Sequence, residues 1–263
     1  MAISLSSLKS TKTNHPPKIL LYGVDGVGKT SLAAEFPNPV YLPTEGETPP
    51  SDIDLQTPGT IESYEALLDV FGELIEGGHD FGSVIVDSLD GLEGLVWGAT
   101  CRRLGINSIE EAGYGKGYIE ADTEWKEYLQ ATSALARAGL FVVQLAHPEI
   151  VRFDSPTSDP YSRYSPKLHK RANALVREQS DIVAFMNYRV SLKTADAGFN
   201  KKVTHAEGGN ERLVHLSEKA GFVAKNRFSM PDNFVYRKGK GFDELAKYLP
   251  EAANDNGERR RAA

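Results

Sequence analysis

The sequence predicts an α/β fold with a mostly parallel central sheet, helices on both faces and an antiparallel C-terminal extension. Three observations predict it. A glycine-rich motif at 23–30 joins an apolar run to a helical one. Apolar runs then alternate with amphipathic segments up to residue 146, as in right-handed strand–helix–strand units. Further apolar runs at 181–192 and 212–216 flank a polar stretch, which is typical of an added hairpin.

The composition is that of a globular protein with one large core. The chain has 263 residues, of which 40% are hydrophobic and 25% are charged. We expect a flexible leader at 1–16, one domain at 17–250 and a disordered tail at 251–263. No apolar run approaches the ~20 residues that span a bilayer, so we expect no membrane partner.

Cysteine content and net charge limit the expected cellular location and the kinds of ligand that the surface can bind. The single cysteine, Cys101, excludes an intramolecular disulfide and a zinc site built from several cysteines of one chain. We therefore expect a reducing, cytoplasmic location. The net charge of −6 disfavours nucleic-acid binding by the whole surface. Any such binding would require local basic loops, or a ring of subunits that focuses charge inside a channel.

The strongest motif is Gly-Val-Asp-Gly-Val-Gly-Lys-Thr at 23–30, which matches G-x-x-x-x-G-K-[ST], the Walker A phosphate-binding loop. An apolar strand at 18–22 precedes it and a helix at 31–36 follows it, as the motif requires. The glycines let backbone N–H groups face the phosphates, while Lys29 reaches the β- and γ-phosphates and Thr30 holds Mg²⁺. The expected cofactors are ATP and Mg²⁺. The expected nucleotide-binding residues are Gly23, Asp25, Gly26, Val27, Gly28, Lys29, Thr30 and Ser31.

An acidic motif follows on a neighbouring strand. The apolar run at 83–88 carries Asp87 near its end, which is the Walker B pattern. A carboxylate at the carboxyl end of a strand beside the phosphate-binding loop binds the Mg²⁺ shell through water. We predict that Thr30 and Asp87 form the metal site, with Asp90 as the alternative acid.

Periodicity and chain breakers predict the remaining elements. An amphipathic helix at 61–76 ends at a glycine pair. The glycine-rich segment 105–117 is expected to be a mobile loop, and 148–167, with four prolines, a second long loop. We also predict strands at 40–42 and 140–146, helices at 89–104, 118–138 and 168–178, a polar hairpin or loop at 195–210, and a last helix that uses Phe242, Leu245, Ala246 and Leu249.

Four predicted strands end in polar residues. The phosphate-binding loop, Glu45, Asp87 and His147 follow the first, second, third and fourth strands in chain order. Because ligands of open α/β sheets bind outside the carboxyl ends of the strands, we expect these residues to share one rim.

The last motif is a basic run, Lys-Asn-Arg-Phe at 225–228. With these motifs, the chain resembles phage-encoded ATPases, AAA domains with a minimal RecA-like core. The resemblance spans roughly 17–250. Some members of that group are recombination proteins that anneal single strands. The resemblance implies a RecA-like P-loop NTPase fold, ATP hydrolysis and, for a phage-encoded chain, the cytoplasm of the bacterial host.

The resemblance also implies roles for single residues. In RecA-like proteins a glutamate after the strand that follows the P-loop helix positions the attacking water. Glu45 matches that position, and Glu47 is the fallback. A polar residue at the end of the fourth core strand senses the γ-phosphate, and His147 matches it. Glu45, Lys29 and His147 are thus expected to act in catalysis.

Lys225 and Arg227 carry a further implication. Their run is similar to the Lys-Asn-Arg-Phe-Gly motif of the RadA/Sms branch, whose basic groups reach nucleotide across a subunit boundary. Ser229 stands where that motif has glycine. The resemblance therefore implies a homo-oligomer, either a ring or a filament, in which this pair completes a neighbour's catalytic site.

Two segments match the DNA-facing loops of RecA-like rings and filaments, namely 105–118 and 148–167. Both interleave aromatic and basic residues, which suits single strands bound without sequence preference. Single-stranded DNA and a single-strand-binding protein are therefore the expected partners. The residues concerned are Tyr114, Lys116 and Tyr118 in the first segment and Arg152, Phe153, Tyr161, Arg163 and Tyr164 in the second.

Three functions are compatible with these features. The first is an Mg²⁺-dependent ATPase that oligomerises and binds single-stranded DNA in phage-type recombination or strand annealing. The second is a nucleotide-switched module that controls assembly or partner binding without DNA. The third, a small-molecule kinase, is disfavoured because such kinases close an arginine-rich lid on the phosphates. Here the densest arginines lie at 259–261, in the expected tail.

Overall fold

The computed structural model describes residues 15–196 and 202–250, except for the side chains of 190–208. The expected tail, and all but the last two residues of the expected leader, lie outside the described residues. Within them no helix is long and apolar enough to cross a membrane. The strands are β1 (Lys18–Gly23), β2 (Pro39–Pro43), β3 (Ser83–Asp87), β4 (Phe141–Ala146), β5 (Pro148–Phe153), β6 (Tyr161–Pro166), β7 (Ile182–Asp196), β8 (Lys202–His215), β9 (Lys225–Asn226) and β10 (Asn233–Tyr236). The helices are α1 (Lys29–Ala33), α2 (Tyr64–Glu76), α3 (Leu89–Leu104), α4 (Lys116–Glu120), α5 (Asp122–Arg137), α6 (Lys170–Gln179) and α7 (Gly241–Ala246).

The main sheet runs in the order β10-β8-β7-β1-β4-β3-β2, with β9 paired to β7. The five strands from β7 to β2 are parallel. β8, β9 and β10 pair antiparallel, and β5 and β6 form a separate hairpin. This mostly parallel sheet with an antiparallel C-terminal extension confirms the predicted fold class.

Alternate residues of the central strand β1 face opposite sides of the sheet. Leu20 and Tyr22 join a core covered by α2, α3, α5 and α6. Ile19 and Leu21 join a second core covered by α1 and α7. Because both faces are covered, every residue of β1 is buried, and the strand has a nearly continuous apolar sequence. Helices on both faces were predicted, and this prediction is confirmed.

Capping residues set the helix boundaries. α2 begins after Ser63, whose hydroxyl oxygen accepts a hydrogen bond from the Ala66 amide at 3.1 Å. The sequence pattern predicts a start at Ile61, which instead bridges to the end of β2. The helix predicted at 118–138 is divided, since α4 ends and α5 begins at Ala121.

Of the two segments predicted to be long loops, 148–167 is folded into strands, so its prediction is wrong, whereas 105–117 consists of turns and short helical pieces. In 105–117 a 3-10 turn at Ile109–Ala112 precedes the start of α4. The segment 148–167 is the hairpin of β5 and β6. Its prolines lie at the two outer ends and in the turn, which leaves β-forming residues free to pair between them.

The C-terminal part of the chain widens the sheet. The stretch 195–210 was predicted to be a hairpin or loop, and its residues 197–201 lie outside the described residues. On either side of them, β7 and β8 form a long antiparallel pair. β10 was not predicted, and it adds to β8 with Tyr236 opposite Arg212. The last predicted helix is α7, which ends at Ala246, so that Leu249 lies beyond it.

Glu35, just beyond α1, ties this C-terminal segment to the phosphate-binding region. Its carboxylate accepts four hydrogen bonds and so satisfies donors at the end of β10 and at the start of α7. The donors are the Tyr236 hydroxyl at 2.8 Å and the backbone amides of Gly239, Gly241 and Phe242 at 2.7, 2.5 and 3.2 Å.

Glu35→Ala is expected to lower the free energy of unfolding by about 2 kcal/mol, because several donors lose their charged acceptor together. Chemical denaturation followed by circular dichroism measures the change. The control is Glu76→Ala, which removes an exposed glutamate at the end of α2 and should cost less than about 0.5 kcal/mol. Equal losses in the two variants would contradict the role assigned to Glu35.

Candidate nucleotide-binding site

The phosphate-binding loop lies where β1 ends and α1 begins. Gly23 is the last residue of β1, and a Cβ there would lie 2.1 Å from the Met186 carbonyl oxygen, so only glycine fits. Gly28 caps α1 with a φ of 101°, a left-handed conformation that favours glycine. Of the remaining loop residues, Asp25 and Gly26 are exposed and Val27 is buried.

Lys29 and Thr30 turn toward the same cavity. Lys29 Nζ donates a hydrogen bond to the Gly23 carbonyl oxygen at 2.9 Å, so the ammonium group lies against the loop itself. Burial lowers the pKa of Lys29, although nearby carboxylates oppose the shift. Thr30 Oγ1 donates to Asp87 Oδ2 at 3.0 Å, and Ser31, the next residue, is buried. The hydroxyl and the carboxylate that the sequence assigns to Mg²⁺ are therefore adjacent.

Asp87 is buried at the end of β3. Its Oδ2 atom accepts hydrogen bonds from Thr30 and from the Tyr41 hydroxyl, both at 3.0 Å. Burial raises the pKa of Asp87, and these two hydrogen bonds oppose the rise. Oxygen donors of this kind suit Mg²⁺, which keeps several waters and takes further ligands from phosphate groups. The donor set of Thr30 and Asp87 therefore fits a Mg²⁺ ion that is shared with a nucleotide.

The two candidate catalytic glutamates are placed differently. Glu45 follows β2 with a φ of 53° and is exposed, outside the lining of the cavity. Glu47 is partly buried and lines the cavity together with Lys29 and Asp87. Burial raises the pKa of Glu47, as does the charge of Asp87, and His147 opposes the rise. The catalytic role of Glu45 stays a prediction, while the geometry favours its fallback, Glu47.

His147 follows β4 and connects two carboxylates. Its Nδ1 atom lies 2.8 Å from Asp90 Oδ2, and its backbone amide donates to Asp90 Oδ1 at 3.1 Å. Its Nε2 atom lies 3.8 Å from Glu47 Oε1. The hydrogen bond with Asp90 raises the pKa of His147. Burial alone would raise the pKa of Asp90, but the hydrogen bonds from His147 lower it to about 2. Asp90, the alternative metal acid, is thus engaged in orienting His147.

One cavity of about 640 Å³ at the carboxyl ends of the parallel strands is lined by Lys29, Thr30, Glu47, Asp87 and His147. The sequence located the loop, Asp87 and His147, but it missed two cations in the lining, Arg212 of β8 and Lys238 beyond β10. Lys238 forms an ion pair with Asp52, which belongs to the segment after β2. No local motif marks these cations, because only the pairing of β7, β8 and β10 brings them to the loop.

The predicted basic pair, Lys225 and Arg227, lies toward the amino ends of the parallel strands, away from the phosphate-binding loop at their carboxyl ends. β9 pairs with the first two residues of β7, whereas the phosphate-binding loop adjoins the fifth, Met186. Lys225 Nζ donates to the Arg177 carbonyl oxygen at 2.8 Å, and Arg227 Nη1 donates to Asp181 Oδ1 at 3.0 Å. The fold does not bring this pair to the cavity of its own chain. Its reach into a neighbouring subunit stays a prediction.

Two aromatic residues that were expected to face DNA are stacked within the fold. Tyr118 lies parallel to the His169 ring with centroids 4.2 Å apart. Tyr164 stacks on Phe185 with centroids 5.0 Å apart. Neither ring has both faces free for a base.

The remaining residues of the same two segments differ in exposure and in the partners that they contact. Arg163 Nη1 pairs with Glu218 at 2.9 Å, and its guanidinium lies 3.9 Å from the centre of the Phe153 ring. Phe153 also contacts Tyr161. The residues of the predicted set that remain exposed are Tyr114, Lys116 and Arg152, of which Arg152 is ion-paired with Asp154 at 2.9 Å.

Comparison with known proteins agrees with this geometry. The chain is similar to the SPbeta prophage-derived uncharacterized protein YorG of Bacillus subtilis (strain 168), with 24% identity over 226 residues. The match covers 82% of this chain and 61% of the relative, so the chain spans about three fifths of that protein's length. A family model described as an AAA domain matches residues 15–228, which include the phosphate-binding loop, Asp87 and His147. Since that match covers most of the chain, the protein belongs to this AAA domain family of P-loop NTPases.

Proposed function

We propose that the protein is an Mg²⁺-dependent ATPase that works as a homo-oligomer. The observation that carries the proposal is the convergence of Lys29, Thr30 and Asp87 on one cavity, with Thr30 hydrogen-bonded to Asp87 at 3.0 Å. P-loop NTPases hold a nucleoside triphosphate and Mg²⁺ with the same three kinds of group. Membership of the AAA domain family supports nucleotide hydrolysis in general.

The loop binds the phosphates through backbone amides and one ammonium group. Backbone N–H groups around Gly28 cradle the α- and β-phosphates. The Lys29 ammonium exchanges its present acceptor, the Gly23 carbonyl oxygen, for oxygens of the β- and γ-phosphates. Thr30 and Asp87 would hold Mg²⁺, which would supply positive charge against the charge that develops on the phosphates.

Glu47 and His147 supply the groups that handle the attacking water. The Glu47 carboxylate accepts a hydrogen bond from that water, orients it toward the γ-phosphate and takes its proton as it attacks. His147, with Nδ1 bonded to Asp90, keeps Nε2 on the cavity side, 3.8 Å from Glu47 Oε1. In the imidazolium form, which the hydrogen bond with Asp90 favours, both ring nitrogens carry a proton, and the Nε2–H group donates to a γ-phosphate oxygen and reports whether the phosphate is present.

Glu47→Gln is expected to lower the rate of ATP turnover about a hundredfold, because an amide does not accept a proton from the attacking water. Binding of ADP with Mg²⁺ should be retained, since the loop is intact. Phosphate release and calorimetric ADP titration measure the two quantities. The matched control is Glu45→Gln, which should keep most of the turnover. A larger loss in Glu45→Gln than in Glu47→Gln would instead assign catalysis to Glu45.

Lys225 and Arg227 support assembly because they lie far from their own cavity. In a ring or filament, the sheet edge that carries them would face the nucleotide of the next subunit. The Arg227 side chain is 57% exposed, so exchanging Asp181 for a phosphate oxygen requires little rearrangement. A cation supplied in this way stabilises charge on the transferred phosphoryl group and couples hydrolysis to assembly.

An equimolar mixture of Lys29→Ala and Arg227→Ala chains is expected to regain ATP turnover that neither variant shows alone. The reason is that an Arg227→Ala subunit offers an intact loop, and its Lys29→Ala neighbour offers an intact arginine. Phosphate release is measured for each variant and for the mixture at equal total concentration. The control mixture, Lys29→Ala with Asp87→Asn, should stay inactive because both changes fall in the same half of the site. If mixed assemblies, in which subunits have exchanged, recover no ATP turnover, the proposal of a site shared between subunits is wrong.

Two cellular roles follow for such an ATPase. The first is binding of single-stranded DNA, with a single-strand-binding protein as partner, in phage-type recombination or annealing. The prophage origin in the name of the relative and the exposed Tyr114 and Lys116 support it. The second role is nucleotide-switched assembly or partner binding without DNA. It is favoured by the engagement of Tyr118, Arg163 and Tyr164 within the fold.

Single-stranded oligonucleotide is expected to raise the turnover rate severalfold under the first role, and the double variant Tyr114→Ala/Lys116→Ala should lose the stimulation. One stacking platform and one phosphate contact would be lost, and stacking alone is worth about 1–3 kcal/mol per base. Phosphate release and fluorescence anisotropy of labelled oligonucleotide measure the effect. Lys126→Ala, an exposed lysine on α5, is the control. Turnover indifferent to DNA, together with ATP-dependent oligomers, would select the second role.

A further inference from the structure

Arg212 of β8 brings a second cation to the phosphate-binding loop. Its Nη1 atom lies 3.0 Å from the position that a Cβ on Gly28 would occupy, and its side chain lines the cavity. Strand register explains the placement, since Arg212 stands opposite Tyr188 on β7 and opposite Tyr236 on β10. β7 itself pairs with β1, which leads directly into the loop.

The groups around this guanidinium are already engaged. The Tyr188 hydroxyl donates to the Gly26 carbonyl oxygen at 3.1 Å, and the Tyr236 hydroxyl donates to Glu35 at 2.8 Å. The adjacent acid on β8, Glu211, pairs with Arg189 at 2.6 Å.

Arg212 itself has no carboxylate or carbonyl acceptor among the described residues. A guanidinium carries several N–H donors and stays charged at every physiological pH. Arg212 is only partly exposed, so leaving those donors without an acceptor is costly. The side chain is therefore arranged for an anionic acceptor that enters the cavity.

Lys238, the other cation that lines the cavity, is different. It is ion-paired with Asp52, and its side chain is 53% exposed. Its charge is therefore balanced within the protein and largely solvated. Of the two cations from the C-terminal extension, Arg212 is the one available to a ligand.

We propose that Arg212 binds the α- and β-phosphates of the nucleotide held in its own chain. The proposal rests on the proposed function and deepens it, because it makes the antiparallel extension part of the nucleotide site. The backbone at Gly28 cradles those two phosphates, and a planar guanidinium donates to phosphate in a bidentate manner. Arg212 thus acts on ADP as well as on ATP, unlike Glu47 and His147, which act at the γ-phosphate.

Calorimetric titration of the full chain with ADP and with ATP, in the presence of Mg²⁺, tests the proposal. Arg212→Ala is expected to weaken the binding of both nucleotides about tenfold or more, through the loss of charge-assisted hydrogen bonds. Arg212→Lys should recover part of the loss, because it keeps the charge but not the planar fork. Inorganic tripolyphosphate, which has no base, should lose affinity by a similar factor. Normal tripolyphosphate binding by a variant weakened for ADP would place Arg212 against the base or ribose and overturn the phosphate assignment.

Matched controls separate binding from stability. Arg237→Ala removes an exposed cation one residue beyond β10 and should bind ADP normally. If Arg212→Ala unfolds, Arg212→Lys serves in its place, with folding checked by thermal denaturation without nucleotide. A folded Arg212 variant with wild-type affinity for ADP overturns this inference alone. Failure of the wild-type chain to bind either nucleotide overturns the proposed function together with it.

Subunit mixing tests whether Arg212 acts in its own chain. At an ATP concentration that leaves Arg212→Ala largely without nucleotide, Arg212→Ala mixed with Arg227→Ala is expected to regain turnover, because the two residues belong to different halves of a site. Arg212→Ala mixed with Lys29→Ala should gain nothing, because both residues belong to the same half. Recovery in the second mixture would assign Arg212 to a neighbour's site and overturn the proposal.

Discussion

The parallel pairing of β2, β3, β4 and β1 is the constraint on which the site depends. Asp87 on β3 pairs with Pro43 on β2 and with Leu145 on β4, and Ala146 on β4 pairs with Tyr22 on β1. The four strands therefore end at nearly the same level. Because parallel strands present their carboxyl ends at one edge, the residues that follow them meet there although they are far apart in the chain.

Carboxylates turn this shared edge into an ordered site. Asp87 holds the Thr30 hydroxyl, Asp90 orients His147, and Glu35 holds the C-terminal segment. Each of these acids accepts at least two hydrogen bonds, which for Asp87 and Glu35 come from different elements and for Asp90 come from the backbone and side chain of His147. A site organised in this way before the nucleotide binds needs little rearrangement during the reaction.

The antiparallel extension places cations near both ends of the parallel strands, the carboxyl ends and the amino ends. β7 continues past the phosphate-binding loop and the chain returns as β8, which passes the loop at Arg212. The chain then reaches β9, where Lys225 lies beside the first residues of β7. The two ends of one extension are thus suited to different tasks. Arg212 and Lys238 line the chain's own cavity, and the basic pair lies outside it.

By itself the sequence determined the α/β fold class, the phosphate-binding loop, Asp87 and the edge on which His147 lies. These features depend on local spacing and on apolar runs, which a single segment encodes. Only the tertiary structure decided that Glu47, and not Glu45, lines the cavity, because a backbone turn with positive φ directs the two side chains differently. Only strand register brought Arg212 to the loop. Side-chain direction and cross-strand register are set by packing between distant segments, and no local pattern in the sequence contains that information.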